Sequence, residues 1–224
     1  GLNIADSGSG SGSDSDSDSD SGSSGEVRVF DPVAGGEALV VLDAGDTVCA
    51  LAFFTDPATG ELRLACGTSE GDGKSGDVRI YDPVAGGEAL VVIDVGSSVG
   101  ALVVFADPAT GSPRLACGFY GVKIFDPVAG GEPLLELEGH TDWVSSASFA
   151  PDGRRLVTAS DDSTAVIWEQ DALQPAQWRQ LTKLEGHTDS VNSASFAPDG
   201  RRLVAASADS TAVIWEQDAL QPAQ

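Results

Sequence analysis

The chain has 224 residues, 41% of them hydrophobic, which suits one domain, or at most two small ones, with a buried core. Its 35 acidic residues against 12 basic give a net charge of -23, which argues against nucleic acid or an anionic membrane as partner, since both need a basic face. The longest nearly apolar run, Val99 to Ala106, falls far short of the about 18 residues that cross a bilayer, so no membrane-spanning helix is expected.

The opening Gly1-Leu2-Asn3-Ile4 has neither the basic nor the long apolar region of a secretion signal, and the chain contains no Met, which reads as a fragment or a processed product. Residues 1–25 hold ten Ser, six Gly, five Asp and four other residues, a composition that cannot build an apolar face and predicts a disordered acidic tail. Asp14-Ser-Asp-Ser-Asp-Ser-Asp20 invites a calcium-loop reading. That loop needs Gly at its sixth position and Glu at its twelfth; counted from Asp16 these are Ser21 and Val27, and from Asp14 they are Ser19 and Gly25, so the pattern fails. Ser13, Ser15 and Ser17 each have Asp three residues on, which makes them candidate phosphosites for an acid-directed kinase.

From residue 26 the chain repeats itself. Val27-Arg-Val-Phe-Asp-Pro32 returns as Val78-Arg-Ile-Tyr-Asp-Pro83 and Val122-Lys-Ile-Phe-Asp-Pro127, then as Ala165-Val-Ile-Trp-Glu169 and Ala212-Val-Ile-Trp-Glu216, in steps of 51, 44, 43 and 47 residues. Between these marks lie short apolar runs such as Val48–Phe54, Leu62–Cys66, Leu90–Ile93, Leu102–Phe105, Leu115–Cys117 and Val144–Phe149, bounded by Asp-Pro-Ala-Thr-Gly, Asp-Pro-Val-Ala-Gly-Gly and Pro-Asp-Gly. Short apolar runs punctuated by Gly, Pro and Asp are strands joined by tight turns, and about four strands every 43–51 residues is the spacing of a β-propeller blade. Named a to d from the axis outward, the strands number seventeen: c and d of a first unit, three complete units near 47–94, 98–137 and 143–184, and a, b and c of a last unit over 190–216. The prediction is an all-β fold of four-stranded antiparallel blades, about four of them, forming an incomplete or open propeller over residues 26–224. Open strand edges add an expectation of self-association.

Leu137-Glu-Gly-His-Thr-Asp-Trp-Val144, Phe149-Ala-Pro-Asp-Gly153 and Ala159-Ser-Asp-Asp-Ser-Thr-Ala-Val-Ile-Trp-Glu169 resemble a WD repeat, and the same elements recur at Gly186-His187, Pro198-Asp-Gly200, Ser207-Ala-Asp209 and Trp215-Glu216. His to Trp is 28 residues both times, and Glu replaces the final Asp of the signature. The first two units keep the strand pattern but have Ala44-Gly45 and Val95-Gly96 where Gly-His should stand, and Phe30, Tyr81 and Phe125 where Trp should stand. The resemblance implies a hydrogen-bond chain from Trp N–H through a Ser hydroxyl and an imidazole to a carboxylate, placed on His140, Ser160, Asp162 and Trp168 and on His187, Ser207, Asp209 and Trp215. It also implies a non-enzymatic scaffold that binds a protein or peptide on a propeller face, without cofactor or metal. The alternative is a propeller enzyme or a sugar-type ligand binder with a site at the axis, which would need converging polar groups at the start of every strand a. Those positions are polar but not a repeated catalytic set.

The b–c turn Gly67–Asp77 brushes against three chemical motifs. Gly67-Thr-Ser69-Glu-Gly71 has the spacing of a nucleophile elbow and Gly71-Asp-Gly73-Lys-Ser-Gly76 that of a dinucleotide loop, but both need a following helix where a strand is expected. Gly73-Lys74-Ser75 ends like a phosphate loop, yet the required first glycine is Thr68. An exposed insertion is the better reading. The cysteines Cys49, Cys66 and Cys117 show no metal-ligand spacing and read as small core residues of a reduced, intracellular compartment, cytoplasmic or nuclear.

Residues 137–177 and 184–224 match at 37 of 41 positions. The differences are Trp143 against Ser190, Ser145 against Asn192, Thr158 against Ala205 and Asp161 against Ala208. The first two and the last fall where strand a begins and strand b ends, on the rim that carries both histidines. The spacing of Val144, Ala147 and Phe149 suggests a bulge there. Trp143, Ser145, Asp161, Ser190 and Asn192, with Asp142 and Asp189 beside them, form the candidate partner-binding set, Trp143 being the anchor and the partner basic. Drift after a recent duplication is the alternative.

Overall fold

The computed structural model describes residues 25–70, 75–174 and 177–216. Among these described residues seventeen strands form five antiparallel sheets in chain order. The first sheet has two strands, β1 (Glu26–Val29) and β2 (Val40–Asp43). The second has β3 (Thr47–Thr55), β4 (Leu62–Ser69), β5 (Asp77–Tyr81) and β6 (Val91–Asp94). The third has β7 (Ala101–Ala106), β8 (Pro113–Gly118), β9 (Val122–Phe125) and β10 (Leu135–Leu137), and the fourth β11 (Val144–Phe149), β12 (Arg155–Ser160), β13 (Ala165–Gln170) and β14 (Trp178–Leu184). The last has three, β15 (Val191–Phe196), β16 (Arg202–Ser207) and β17 (Ala212–Glu216). Among the described residues there is no helix. The expected strand count and blade architecture are met.

Turn chemistry sets these boundaries. Asp31, Asp82 and Asp126 each close a c–d turn: the carboxylate Oδ1 accepts the backbone N–H groups two and three residues on, at 2.8–3.0 Å. The Gly-Gly pair that follows takes positive φ, 64° and 93° at Gly35 and Gly36, which a side chain would resist.

The core lies between sheets, each packing its face on the next. Leu42 meets Leu64, Cys66 and Tyr81; Ile80 and Ile93 meet Val99, Leu115 and Phe125. Phe105 and Ile124 meet Leu156, Val166 and Trp168, and Val157 and Ile167 meet Val191, Phe196 and Leu203. A sheet covered on both faces must be apolar on both, and Ala165–Trp168 of β13 is buried at every residue. Among the described residues β17 pairs only with β16 and β1 only with β2, so the blades form an open arc rather than a closed ring.

In three blades the first two strands slip register at the start of the inner strand, between Val48 and Ala50, Val144 and Ser146, and Val191 and Ser193. In the Gly67–Asp77 insertion, β4 continues to Ser69 and β5 begins at Asp77; the residues between 70 and 75 lie outside the described part. Gly67 serves packing: a Cβ there would lie 2.6 Å from Val99 Cγ1.

Candidate functional site

In the fourth sheet the expected polar chain is present but takes a different route. Asp162 sits at the turn between β12 and β13, fixed by Ser163 in the left-handed region at φ 66°. Its Oδ2 lies 3.0 Å from His140 Nδ1 and accepts the Thr141 N–H at 3.0 Å, while Oδ1 accepts the Thr164 hydroxyl and its N–H. The other imidazole nitrogen, Nε2, lies 2.8 Å from Thr158 Oγ1, which in turn accepts Trp168 Nε1–H at 2.9 Å. A carboxylate can only accept, so Nδ1 carries the proton, Nε2 is the acceptor and the Thr158 hydroxyl donates to it. The link from Trp168 to His140 therefore passes through Thr158 and not through Ser160. Ser160 instead donates to Asp142 O at 3.1 Å and accepts the Asp162 N–H at 3.1 Å, tying the b–c turn to the start of the inner strand. The reason is alternation along β12: Thr158 and Ser160 share a face, but Thr158 is two pairs further from the rim, within reach of the indole, whereas Ser160 is level with the turn.

These contacts set the charges. Burial lowers the His140 pKa below its ordinary 6.5, against the opposing pull of Asp162, so the ring is neutral at pH 7. Burial would raise Asp162, but Thr164, Thr141 and His140 outweigh it and hold the carboxyl down at about 2.

The last sheet repeats half of this. His187 Nδ1 lies 2.9 Å from Asp209 Oδ2, and Ser207 donates to Asp189 O at 3.0 Å. Ala205 stands where Thr158 stands in the twin, and His187 Nε2 is buried with no hydrogen-bond partner. The Thr158/Ala205 difference thus lies inside the network, away from the rim.

At the rim, Trp143 is half-buried, not fully exposed. Its ring meets Tyr120 edge-on at 5.8 Å, and its indole covers Gly100, where a Cβ would come within 2.5 Å of Nε1. Asp161 N–H donates to Trp143 O at 2.9 Å, and Asp142 Oδ1 accepts the Trp143 N–H at 2.8 Å, so both exposed acidic residues are tied to the Trp143 backbone. Ser145 points elsewhere: its hydroxyl donates to Val191 O of the next sheet at 2.6 Å. Residues two apart on a regular strand share a side, but the bulge between Val144 and Ser146 breaks the alternation, so Trp143 faces the preceding sheet and Ser145 the following one. In the last sheet Ser190 is half-buried, Asn192 and Ala208 are exposed, and Asp189 Oδ1 accepts the Ser190 N–H at 2.8 Å, as Asp142 does with Trp143. Tyr120, on the b–c turn of the third sheet and exposed, was not foreseen; its only sequence signal is an aromatic residue between Phe119 and Gly121 at a position that is Asp161 in the next unit. The candidate phosphosites Ser13, Ser15 and Ser17 lie outside the described residues.

Residues 131–169 and 178–216 each match the family described as WD domain, G-beta repeat. These two segments are WD repeats. Each runs from strand d of one blade through a, b and c of the next: residues 131–169 take in β10–β13, and residues 178–216 take in β14–β17. A WD repeat in this chain is thus one strand out of step with a blade, and covalently staples neighbouring blades. The chain is also similar to the zebrafish (Danio rerio) apoptotic protease-activating factor 1, 47% identical over 36 residues, a stretch that is 16% of this chain and 3% of that protein. The two WD repeats are the part of the chain that holds both histidines, both polar networks and Trp143.

Proposed function

We propose that the chain is a non-enzymatic interaction scaffold that binds a protein or peptide of basic character at the rim formed by Tyr120, Asp142, Trp143 and Asp161. The WD repeats support the general reading of a protein-interaction module. The finer reading rests on one observation: an exposed Tyr120 set edge-on against a half-buried Trp143, whose backbone is hydrogen-bonded to the exposed residues Asp142 and Asp161. An aromatic face flanked by carboxylates suits a Lys or Arg side chain, which gains from both the ring and the charge. The indole is braced by Gly100, so little freedom is lost when a partner docks. The later WD repeat has Ser190 and Ala208 at the two matching positions and lacks this patch. An intracellular setting, cytoplasmic or nuclear, fits three unpaired cysteines.

The test copies the chain's own variation. An array of Lys- and Arg-rich peptides is screened, and the strongest binder is titrated by fluorescence anisotropy against the wild type, Trp143→Ser with Asp161→Ala, and Tyr120→Ala. Affinity should fall at least about tenfold in both variants, equivalent to about 1.4 kcal/mol, and weaken as salt rises. Unchanged affinity would place the site elsewhere.

A further inference from the structure

The blades join by a repeated device. At three blade junctions a valine at the head of the inner strand fills a notch at the end of the second strand of the blade before it. Val99 occupies the space left by Gly67, and Val144 that left by Gly118, where a Cβ would come within 2.7 Å of its Cγ1. Val191 packs in one cluster with Ala159. All three valines are fully buried.

The strand registers identify the same two positions at the ends of the arc. Ala206 pairs with Ser193 as Ala159 pairs with Ser146, so Ala206 is the notch of the last blade. Val48 pairs with Thr68 as Val144 pairs with Ser160, so Val48 is the valine of the first complete blade. Here neither is matched: Ala206 is exposed and Val48 only half-buried. The flanking residues follow suit. Val157 and Ile167 are 0% exposed beneath β15, whereas their twins Val204 and Ile214 are 42% and 65% exposed. On β3, Leu51 and Phe53 are 51% and 61% exposed, although the residues at their register positions in β15, Ala194 and Phe196, are buried. The arc therefore presents, at its two ends, the two halves of one contact that it makes internally between its fourth and last blades.

We infer that a second copy of this chain docks head to tail, its Val48, Leu51 and Phe53 covering Ala206, Val204 and Ile214 of the first. This contact is heterologous: each copy uses one face and leaves the other for a further copy, so the assembly either closes into a ring or extends. The first sheet already covers Leu64, Cys66 and Tyr81 on the outer half of the receiving face, leaving the inner half in front of β3. There β1 stands in the third-strand place that the incoming β17 takes, so docking requires β1 to move aside. The faces are apolar while each chain carries a net charge of -23, so salt strengthens the association by screening repulsion between copies. That is opposite in sign to the salt response of a basic peptide at the rim, and the two proposals fail independently.

Sedimentation velocity over a concentration series, at low and high salt, reads the association. Ala206→Glu should weaken it at least about tenfold, as should Leu51→Glu, each with an unchanged circular dichroism spectrum. Both positions are exposed, so both variants should fold; if one does not, Val204→Thr or Phe53→Ser replaces it. The decisive arm mixes Ala206→Glu with Leu51→Glu. Each retains the face the other has lost, so the mixture recovers a dimer and stops there. Failure of the mixture to recover a dimer overturns the proposal, as would a symmetric dimer insensitive to either change. A wild type that stays monomeric throughout also overturns it, whether the faces exchange hydrogen freely or are protected by closure of one chain on itself or by a blade of another protein.

Discussion

Thr158→Ala turns the polar network of the fourth blade into that of the last. The lost hydroxyl strands His140 Nε2 and Trp168 Nε1, which it holds at 2.8 and 2.9 Å in a region where Thr158 itself is 0% exposed. Each orphaned buried group costs about 1–3 kcal/mol, so the two together cost about 2–6 kcal/mol. The reciprocal change, Ala205→Thr, offers His187 Nε2 the donor it lacks, and should return about 1 kcal/mol after the cost of fitting two more atoms into a packed position. Two controls separate hydrogen bonding from shape: Thr158→Val keeps the volume and should lose most of the stability, while Thr158→Ser keeps the hydroxyl and should lose little. Urea unfolding at neutral pH reads the fourth-blade variants, and amide exchange along β16 reads Ala205→Thr, since the last blade can open separately from the rest. If Thr158→Val were as stable as the wild type, or Ala205→Thr loosened β16, the role assigned to Thr158 would be refuted.

Acidification should destabilise the protein in two stages. The folded state holds His140 below its ordinary 6.5, so the unfolded chain binds a proton that the folded chain refuses and stability falls as pH drops below about 6.5; a second loss follows between about 4 and about 2, as Asp162 is forced to protonate. Urea midpoints at successive pH values check the sign, and His140→Gln should flatten the upper stage. Burial pushes the Cys66 thiol up to about 12 and raises Cys117 as well, whereas Cys49 is exposed. A thiol-reactive dye at pH 8 should therefore label one cysteine of the native protein, and all three once urea unfolds it. Ser145→Ala removes the hydroxyl bound to Val191 O at 2.6 Å, and should cost about 1 kcal/mol, appearing as faster amide exchange across Val191–Phe196 with the fourth blade unchanged.

The strand pattern was legible because each blade is punctuated by its own turns: Asp31, Asp82 and Asp126 bind the backbone of their own loops, so the signal is local. The bulge at Val144 was legible from the three-then-two spacing that follows it. What a single sequence does not carry is which of two hydroxyls on one strand face lies level with an indole on the neighbouring strand. Thr158 and Ser160 are both two-fold candidates, and only the pairing of Thr158 with Val166, beside Trp168, decides between them. The same holds at the rim. Trp143 looked like a free anchor because nothing local covers it; Gly100 and Tyr120 reach it from 43 and 23 residues upstream. The orphaned His187 was within reach, since Ala205 was one of only four differences between the twins, but its meaning depended on knowing that position 158 belongs to the network.

Because each WD repeat begins one strand ahead of its blade, the duplicated stretch behaves as a cassette. Residues 137–177 and 184–224 are offset by the same 47 residues that separate Glu169 from Glu216, and they agree at 37 of 41 positions. Joining any residue of one copy to its successor in the other therefore removes or adds 47 residues, which is one d strand with the a, b and c strands that follow it, and the repeat pattern runs unbroken across the junction. Unequal exchange within the gene would then change the blade count by whole numbers without cutting a sheet. A chain lengthened in this way would set its extra valine into Ala206 and lay its new inner strand over Val204 and Ile214.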